Sequence, residues 1–341
     1  MGASGRSFNM LTRKDFLKTF AIGAGATLVG GLAAPRILRA QAPTLLRLNM
    51  VVASQDPSYP MWEDFGKRIE EASDGTLRVQ VFPTETLGKT VDMIEAVSRG
   101  APILQDCDPS HFYNYVPDYA VFMAPYLFKR PEDIGTAWNS DIGAQLDAKL
   151  NQRGLRVLTM TYYGTRHLLS ARQVKQRSDT AGLKIRNAPT KMWNEVGRVL
   201  GGVITNTAWS ETYTALSQGV AQGAESPLSV LYSSKLYETQ PNISLTGHLV
   251  ATTSIVMSQR VYENLPEPAR KALDVVGRGY TTVRQPMIEA LEFEFRGKLE
   301  DAGRVFNDVD TSSFVEAAAE TPKHFPEWTS GIYEDVLKTI S

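Results

Sequence analysis

The sequence predicts an α/β protein of two lobes, joined by a hinge, with a cleft between the lobes and one long helix bracing both. Three observations carry this. Strand, helix and turn signals alternate as strand–helix–strand–helix–strand from residue 46 to 104, the order of a mostly parallel sheet. A second such unit runs from 183 to 225. The chain has 341 residues, a length that favours two domains over one.

In chain order, Leu46, Leu48 and Met50 alternate with outward positions as a first strand. A turn-rich loop, Ser54 to Pro60, leads to a helix over 60–73 with Trp62, Phe65, Ile69 and Ala72 on one stripe. Leu77, Val79 and Val81 make the second strand. A helix over 89–99 stops at Gly100, and Ile103 opens the third strand. The aromatic stretch Tyr113 to Phe128 reads as core and inter-lobe packing. One helix over 131–152 and a strand Val157–Tyr163 follow, and Gly164, Thr165 and Arg166 break the strand. Then come a strand 183–187, a helix 190–200, a strand 203–206, a helix 210–218, a strand 220–225 and a helix 228–238. His248 to Ser258 is apolar on both faces, which suits the middle of a sheet. Residues 267 to about 302 form one long helical pattern containing Pro286, where a bend is expected. Short helices close the chain over 312–340.

Ahead of this stands an export signal. Arg13, Lys14 and Lys18 precede the apolar run Phe20–Ala34, and Ala40-Gln41-Ala42 supplies a cleavage site. The basic part, Thr12 to Lys18, resembles a twin-arginine motif with Lys in place of the second Arg. A cleaved signal peptide over residues 1–42 is expected. Past it, no stretch approaches the ~18 apolar residues of a membrane span.

The whole chain carries 36 basic and 37 acidic side chains; residues 43–341 keep 30 and 36. A mildly acidic protein without a basic, aromatic-interleaved patch is a poor nucleic-acid binder. The single Cys107 forms no internal disulfide and reads as a small buried apolar residue. The four histidines lack metal-ligand spacing, and no nucleophile elbow, P-loop or dinucleotide fingerprint is present. No cofactor, metal or catalysis is expected.

Anion binding is the chemistry the residues do suggest. Arg186 lies in a short strand after Leu183 and Ile185, and strand ends facing an inter-lobe crevice are where open α/β sheets place ligands. A guanidinium matches a carboxylate with two parallel charge-assisted bonds. The same arginine would equally serve a structural salt bridge, to Glu211 or Glu225. Arg166 stands at a comparable strand end, either as a second anion contact or as a surface or hinge arginine.

The signal peptide, Phe82-Pro-Thr-Glu-Thr-Leu-Gly88, Met93 to Val97, Gly164 to Arg166, Gly182 to Arg186 and Glu211 to Gly219 together resemble the DctP-type solute-binding proteins of TRAP transporters. The likeness covers nearly all of the chain past the signal. It implies a periplasmic-binding-protein fold that closes on an organic acid and delivers it to TRAP membrane permease subunits. It implies Arg186 as the carboxylate anchor and Arg166 as the second family arginine. The family's usual asparagine is replaced by Ser226, in Ala221 to Pro227, so ligand identity does not transfer. By position, Asp108 and His111 would line the facing wall, with Glu225, Trp209, Tyr59 and Gln55 as further contacts. The expected lobes are 43–163 with 252–290, and 164–251 with 291–330, followed by a tail over 331–341. A monomeric periplasmic binder of a monocarboxylate, dicarboxylate or sugar acid is expected. A ligand-presenting partner of a periplasmic sensor, or an exported enzyme, are the alternatives.

Overall fold

The computed structural model describes residues 42–341; the expected signal peptide lies outside them, save Ala42. In chain order the elements are β1 (Thr44–Asn49), α1 (Tyr59–Ala72), β2 (Leu77–Phe82), α2 (Thr90–Ser98), β3 (Ile103–Cys107), α3 (Glu132–Trp138), α4 (Asp141–Asn151), β4 (Leu155–Ser170), β5 (Lys184–Asn187) and α5 (Lys191–Leu200). They continue with β6 (Val203–Asn206), α6 (Thr212–Ser217), β7 (Gly223–Pro227), α7 (Leu228–Ser233), β8 (Asn242–Ser258), α8 (Gln259–Glu263), α9 (Glu267–Asp301), β9 (Val305–Asn307), α10 (Ser312–Ala319) and α11 (Ile332–Thr339).

One nine-stranded sheet runs in the order β2-β1-β3-β8-β4-β7-β5-β6, with β9 on β8. Its two ends are parallel wings. β1 pairs with β2 and β3, and β5 pairs with β6 and β7, all in parallel. The middle is antiparallel and made of two very long strands, β4 and β8. Each wing holds only one half of these strands: β3 pairs with residues 254–256 of β8, whereas β7 pairs with residues 166–170 of β4. Register shifts interrupt the β4–β8 ladder at Val157/Thr159, Tyr162/Gly164 and Arg166/Leu168, and such bulges twist and bend a strand locally.

Three expectations are corrected here. Gly164 does not end a strand. With φ at +130° it takes a backbone that L side chains avoid, and the strand bends through it and continues to Ser170. The helix expected over 131–152 is two helices, because Ser140 caps a new start by accepting from the Gly143 N–H. The expected helix over 228–238 also breaks: α7 ends at Ser233, and Lys235 is left-handed.

The long pattern does form one 35-residue helix, α9, with Pro286 inside it. Its N-terminal part, including Leu273 and Tyr280, packs into a core cluster with Leu46, Leu48 and Phe65. Its C-terminal part, Phe295 and Leu299, packs into another with Leu169, Ala224 and Ile243. The third and largest cluster takes up Phe112, Tyr119, Phe122 and Phe128 of the aromatic stretch, in edge-to-face and stacked pairs. No helix of the described residues is long and apolar enough to cross a membrane.

Candidate functional site

The parallel strands of both wings point their C-terminal ends at one place. A cavity of about 320 Å³ lies there, lined by residues that follow β1 (Val51), β3 (Asp108, His111), β5 (Ala188, Pro189) and β6 (Ala208, Trp209). The central strands add Tyr163 and Arg166 from β4 and Ala251, Thr252 and Thr253 from β8. Most of the exposed lining is apolar.

Arg186 is the third residue of β5, opposite Thr205 of β6 and Ala224 of β7, so its backbone is fixed from both sides. Its Nη2 donates to the Thr207 carbonyl at 2.7 Å, and its guanidinium lies over the Trp209 ring, 5.3 Å from the centroid. It is 4% exposed and forms no ion pair among the described residues. Burial is the main force on it and lowers its pKa to about 10; Glu225 pulls the other way and Arg166 adds to the lowering. The side chain is a buried, uncompensated cation whose Nη1 has no hydrogen-bond partner among the described residues.

Arg166 also lines the cavity, but its charge is neutralised. Its Nε and Nη2 meet the Glu225 carboxylate, Nη2 at 2.9 Å from Oε1, and its guanidinium covers the Trp193 ring. Glu225 has a second neighbour, the Nε2 of His248 at 3.3 Å. Burial alone would raise the Glu225 pKa, yet Arg166 and His248 bring it below the usual range. Burial dominates at His248 and lowers its pKa, so the ring is neutral, and Thr246 Oγ1 lies 2.8 Å from its Nδ1. The salt bridge to Glu225 that the sequence allowed for Arg186 is therefore made by Arg166.

Ser226 faces the cavity at 1% exposure, and its Oγ has no hydrogen-bond partner among the described residues. Across the cavity, Asp108 caps the short 3-10 turn Pro109–Phe112 and accepts from the Ser110 N–H. The Nε1–H of Trp193 donates to it at 3.2 Å, and His111 Nδ1 lies 3.2 Å away. Burial pushes the Asp108 carboxyl up, but His111, Ser110 and Trp193 together hold it at about 2. Burial works against a charge on His111 too, and Asp108 outweighs it, so the pKa is raised. The two are placed to form an ion pair when His111 is protonated.

Of the nine residues expected at a site, Arg186, Arg166, Ser226, Asp108, His111 and Trp209 line this cavity. Glu225, Tyr59 and Gln55 do not. Glu225 is buried beneath the wall, held by Arg166 and His248. Tyr59 opens α1, and Gln55 is exposed in a loop that folds away because Asp56 binds Ser58 and reaches Ser233 Oγ at 2.6 Å. Asp106, Trp193, Tyr163 and Lys89 line the cavity and were not anticipated. Trp193 was hidden because a tryptophan on a helix reads as core. Asp106 left a signal, as a carboxylate inside an apolar strand. Burial raises its pKa to about 6 against the pull of Thr253 and Arg284. Among the described residues no group of three or more His, Cys, Asp and Glu side chains is arranged to hold a metal ion.

The profile of the family described as bacterial extracellular solute-binding protein, family 7 (DctP) matches residues 48–327. The chain is 29% identical over 288 residues to a solute-binding protein of Verminephrobacter eiseniae, covering 84% of this chain and 86% of that one. Among solved structures it is similar to a TRAP periplasmic solute binding protein of Actinobacillus succinogenes with bound L-galactonate. The TM-score there is 0.83 at 29% identity, over 87% of this chain and 99% of that one. It is likewise similar to one of Bordetella bronchispeptica with density interpreted as pantoate, with TM-score 0.80, 29% identity, and coverage of 87% and 99%.

Proposed function

We propose, from the premise that this chain belongs to the DctP family of bacterial extracellular solute-binding proteins, that it captures a small organic acid and delivers it to the permease of a TRAP transporter. The observation that carries this is the buried Arg186 cation, which makes no ion pair among the described residues, in a mainly apolar cavity. Burying an unpaired charge is costly, and a carboxylate removes that cost while gaining charge-assisted hydrogen bonds. Of the two solved structures described above, one holds such an acid, L-galactonate, and the other has density interpreted as one, pantoate.

The two sheet wings are the lobes in this reading. The change-over falls at 163/164 in β4 and 251/252 in β8, beside the Tyr162/Gly164 register shift. Residues 43–163 then join 252–290, 164–251 join 291–330, and 331–341 form a tail. A solute bridging both lobes favours the closed arrangement by its differential affinity for it. Asp108 and His111 present the facing wall, and Ser226 flanks Arg186. The protein acts in the periplasm as a monomer, without catalysis, cofactor or metal.

The test is a thermal-shift screen of the ligand-free protein against small organic acids, followed by calorimetry. A binding acid raises the melting temperature, and Arg186→Ala removes that shift. If Arg186→Ala binds the same acid with unchanged affinity, the carboxylate anchor is wrong.

A further inference from the structure

We infer that Arg284, an arginine of α9 outside the cavity, is a positioning residue of the solute site: it holds the Asp106 carboxylate of the cavity wall from behind, so that a carboxylic acid can settle in front of it. This rests on the solute-binding reading above and deepens it. Asp106 lines the cavity and Arg284 does not.

Arg284 is fully buried, two residues before Pro286. Its guanidinium lies over the Trp62 ring, 4.6 Å from the centroid. Nη1 donates to Thr161 Oγ1 at 2.9 Å and to the Tyr162 carbonyl at 2.6 Å. The other edge, Nε and Nη2, is buried without a hydrogen-bond partner among the described residues. Two donors on one edge of a guanidinium match a carboxylate, and a buried cation is costly without a negative charge near it. Burial lowers the pKa of Arg284, and four groups oppose it, Asp106 foremost. Tyr280 and Tyr163 are phenols whose own pKa burial raises, so they stay neutral. Asp56 is already held by the hydroxyls of Ser58 and Ser233. Asp106 is the acid left to answer this cation.

The sheet brings the two together. Asp106 of β3 is opposite Ile255 of β8, and Thr161 of β4 is opposite Thr253 of β8. Alternate residues of a strand share a face, so Asp106, Thr253 and Thr161 form one polar row on the face that α9 covers. Hydrogen bonds tie both ends of the row: Thr253 Oγ1 donates to Asp106 Oδ1, and Thr161 Oγ1 accepts from Arg284. The other groups that act on Asp106 are the Val51 backbone after β1 and the like charge of Asp108, and Tyr163 of β4 lies within its field. Burial raises the Asp106 pKa to about 6, and Thr253 and Arg284 keep it from rising further. A bare carboxylate in the wall would repel an incoming acid. A cation behind it cancels part of that field and takes up none of the space the solute needs.

The experiment follows the Asp106 carboxyl carbon by NMR in ligand-free protein, with Asp106→Asn to assign its signal. Arg284→Met should raise the titration midpoint by about one pH unit or more. Arg284→Lys keeps the charge and should raise it less. An arginine needed only for folding would lower the melting temperature and leave the midpoint in place, and that result overturns the inference. Where Arg284→Met misfolds, the Nε–H resonance of Arg284 in wild type decides. It should move with the same midpoint as the Asp106 carboxyl and stay still in Asp106→Asn; a resonance indifferent to pH overturns the inference. Calorimetry with pantoate and L-galactonate from about pH 5 to 8 reads the effect on the site. The pH at which affinity falls should move up with the carboxyl midpoint from wild type to Arg284→Met. A midpoint that moves with no change in the affinity profile overturns the positioning role. The NMR titrations need no solute, so failure of every acid to bind overturns the solute-binding reading and leaves their result intact.

Discussion

Arg186 and Arg166 stand on neighbouring parts of one sheet, and their surroundings give them opposite roles. Arg166 compensates Glu225 in the interior, so Arg166→Ala leaves a buried carboxylate whose remaining hydrogen-bond partner is His248. That variant should lose about 3–5 kcal/mol of stability, read as a fall in the urea midpoint. Arg186→Ala removes a cation that has no counter-charge and should stay within about 1 kcal/mol of wild type. Equal losses in the two variants would contradict this division of labour. Asp106 adds a pH dependence. Its pKa in the folded protein is about 6, raised mainly by burial, against roughly 3.9 in an unfolded chain. The native state binds the extra proton, so this group's contribution is complete below about pH 4 and declines as pH rises through 6. Asp106 faces the cavity beside Asp108, with Arg284 and Thr253 as its compensating neighbours. Its ionisation should therefore weaken carboxylate binding between about pH 5 and 7, and Asp106→Asn should flatten that dependence. Identical dissociation constants across this range in wild type would dismiss it. The sequence made the two arginines visible because a cation at a strand end is unusual. It did not tell them apart, because the acid that neutralises Arg166 lies 59 residues further along the chain.

Most elements were legible because periodicity reports burial directly: α1, β2, α2, β6 and α9 lie within two residues of their expected limits. What was missed came from residues with two structural uses. Gly164 reads as a breaker, yet a glycine is also what lets β4 bend through a bulge while keeping its ladder. Ser140 reads as an ordinary helix residue until its hydroxyl caps α4. The contact between α9 and β4 turns on a similar distinction. A Cβ on Gly277 would lie 2.2 Å from the Leu158 carbonyl oxygen, whereas Gly279 has nothing within 4 Å. Gly277→Ala must push α9 away from β4, at a cost of about 1–3 kcal/mol. Gly279→Ala should be neutral or stabilising by up to ~1 kcal/mol through helix propensity. Chemical denaturation of the two variants side by side checks this, and similar effects would show that the helix does not approach β4 so closely.

At the scale of the whole molecule, the proposed lobes share the largest apolar cluster, which holds Phe112 and Tyr119 together with Leu183, Ile185 and Phe325, and hydrogen bonds between polar side chains also cross between them. Asp108 accepts from Trp193, Ser110 Oγ lies 3.3 Å from Thr190 Oγ1, Asp56 accepts from Ser233, and Lys191 donates to the Tyr113 hydroxyl at 3.0 Å. Each pairs a residue before the β4 crossing with one after it. Hydrogen bonds of this kind contribute about 0.5–1.5 kcal/mol apiece, enough to shift how often the cleft closes. A solute that binds only the closed form has its apparent affinity reduced by the fraction of protein closed without it. Trp193→Phe removes the Nε1–H from Asp108 and keeps an aromatic ring beneath Arg166. It should therefore weaken solute binding by roughly threefold to tenfold while leaving the melting temperature of the ligand-free protein nearly unchanged. Small-angle scattering separates this from lost contact with the solute. The ligand-free variant should have a larger radius of gyration than ligand-free wild type, and saturating solute should bring both to the same value. Weaker binding with no change in the ligand-free radius would mean that Trp193 acts only on the solute and that the cross-cleft bond does not govern closure.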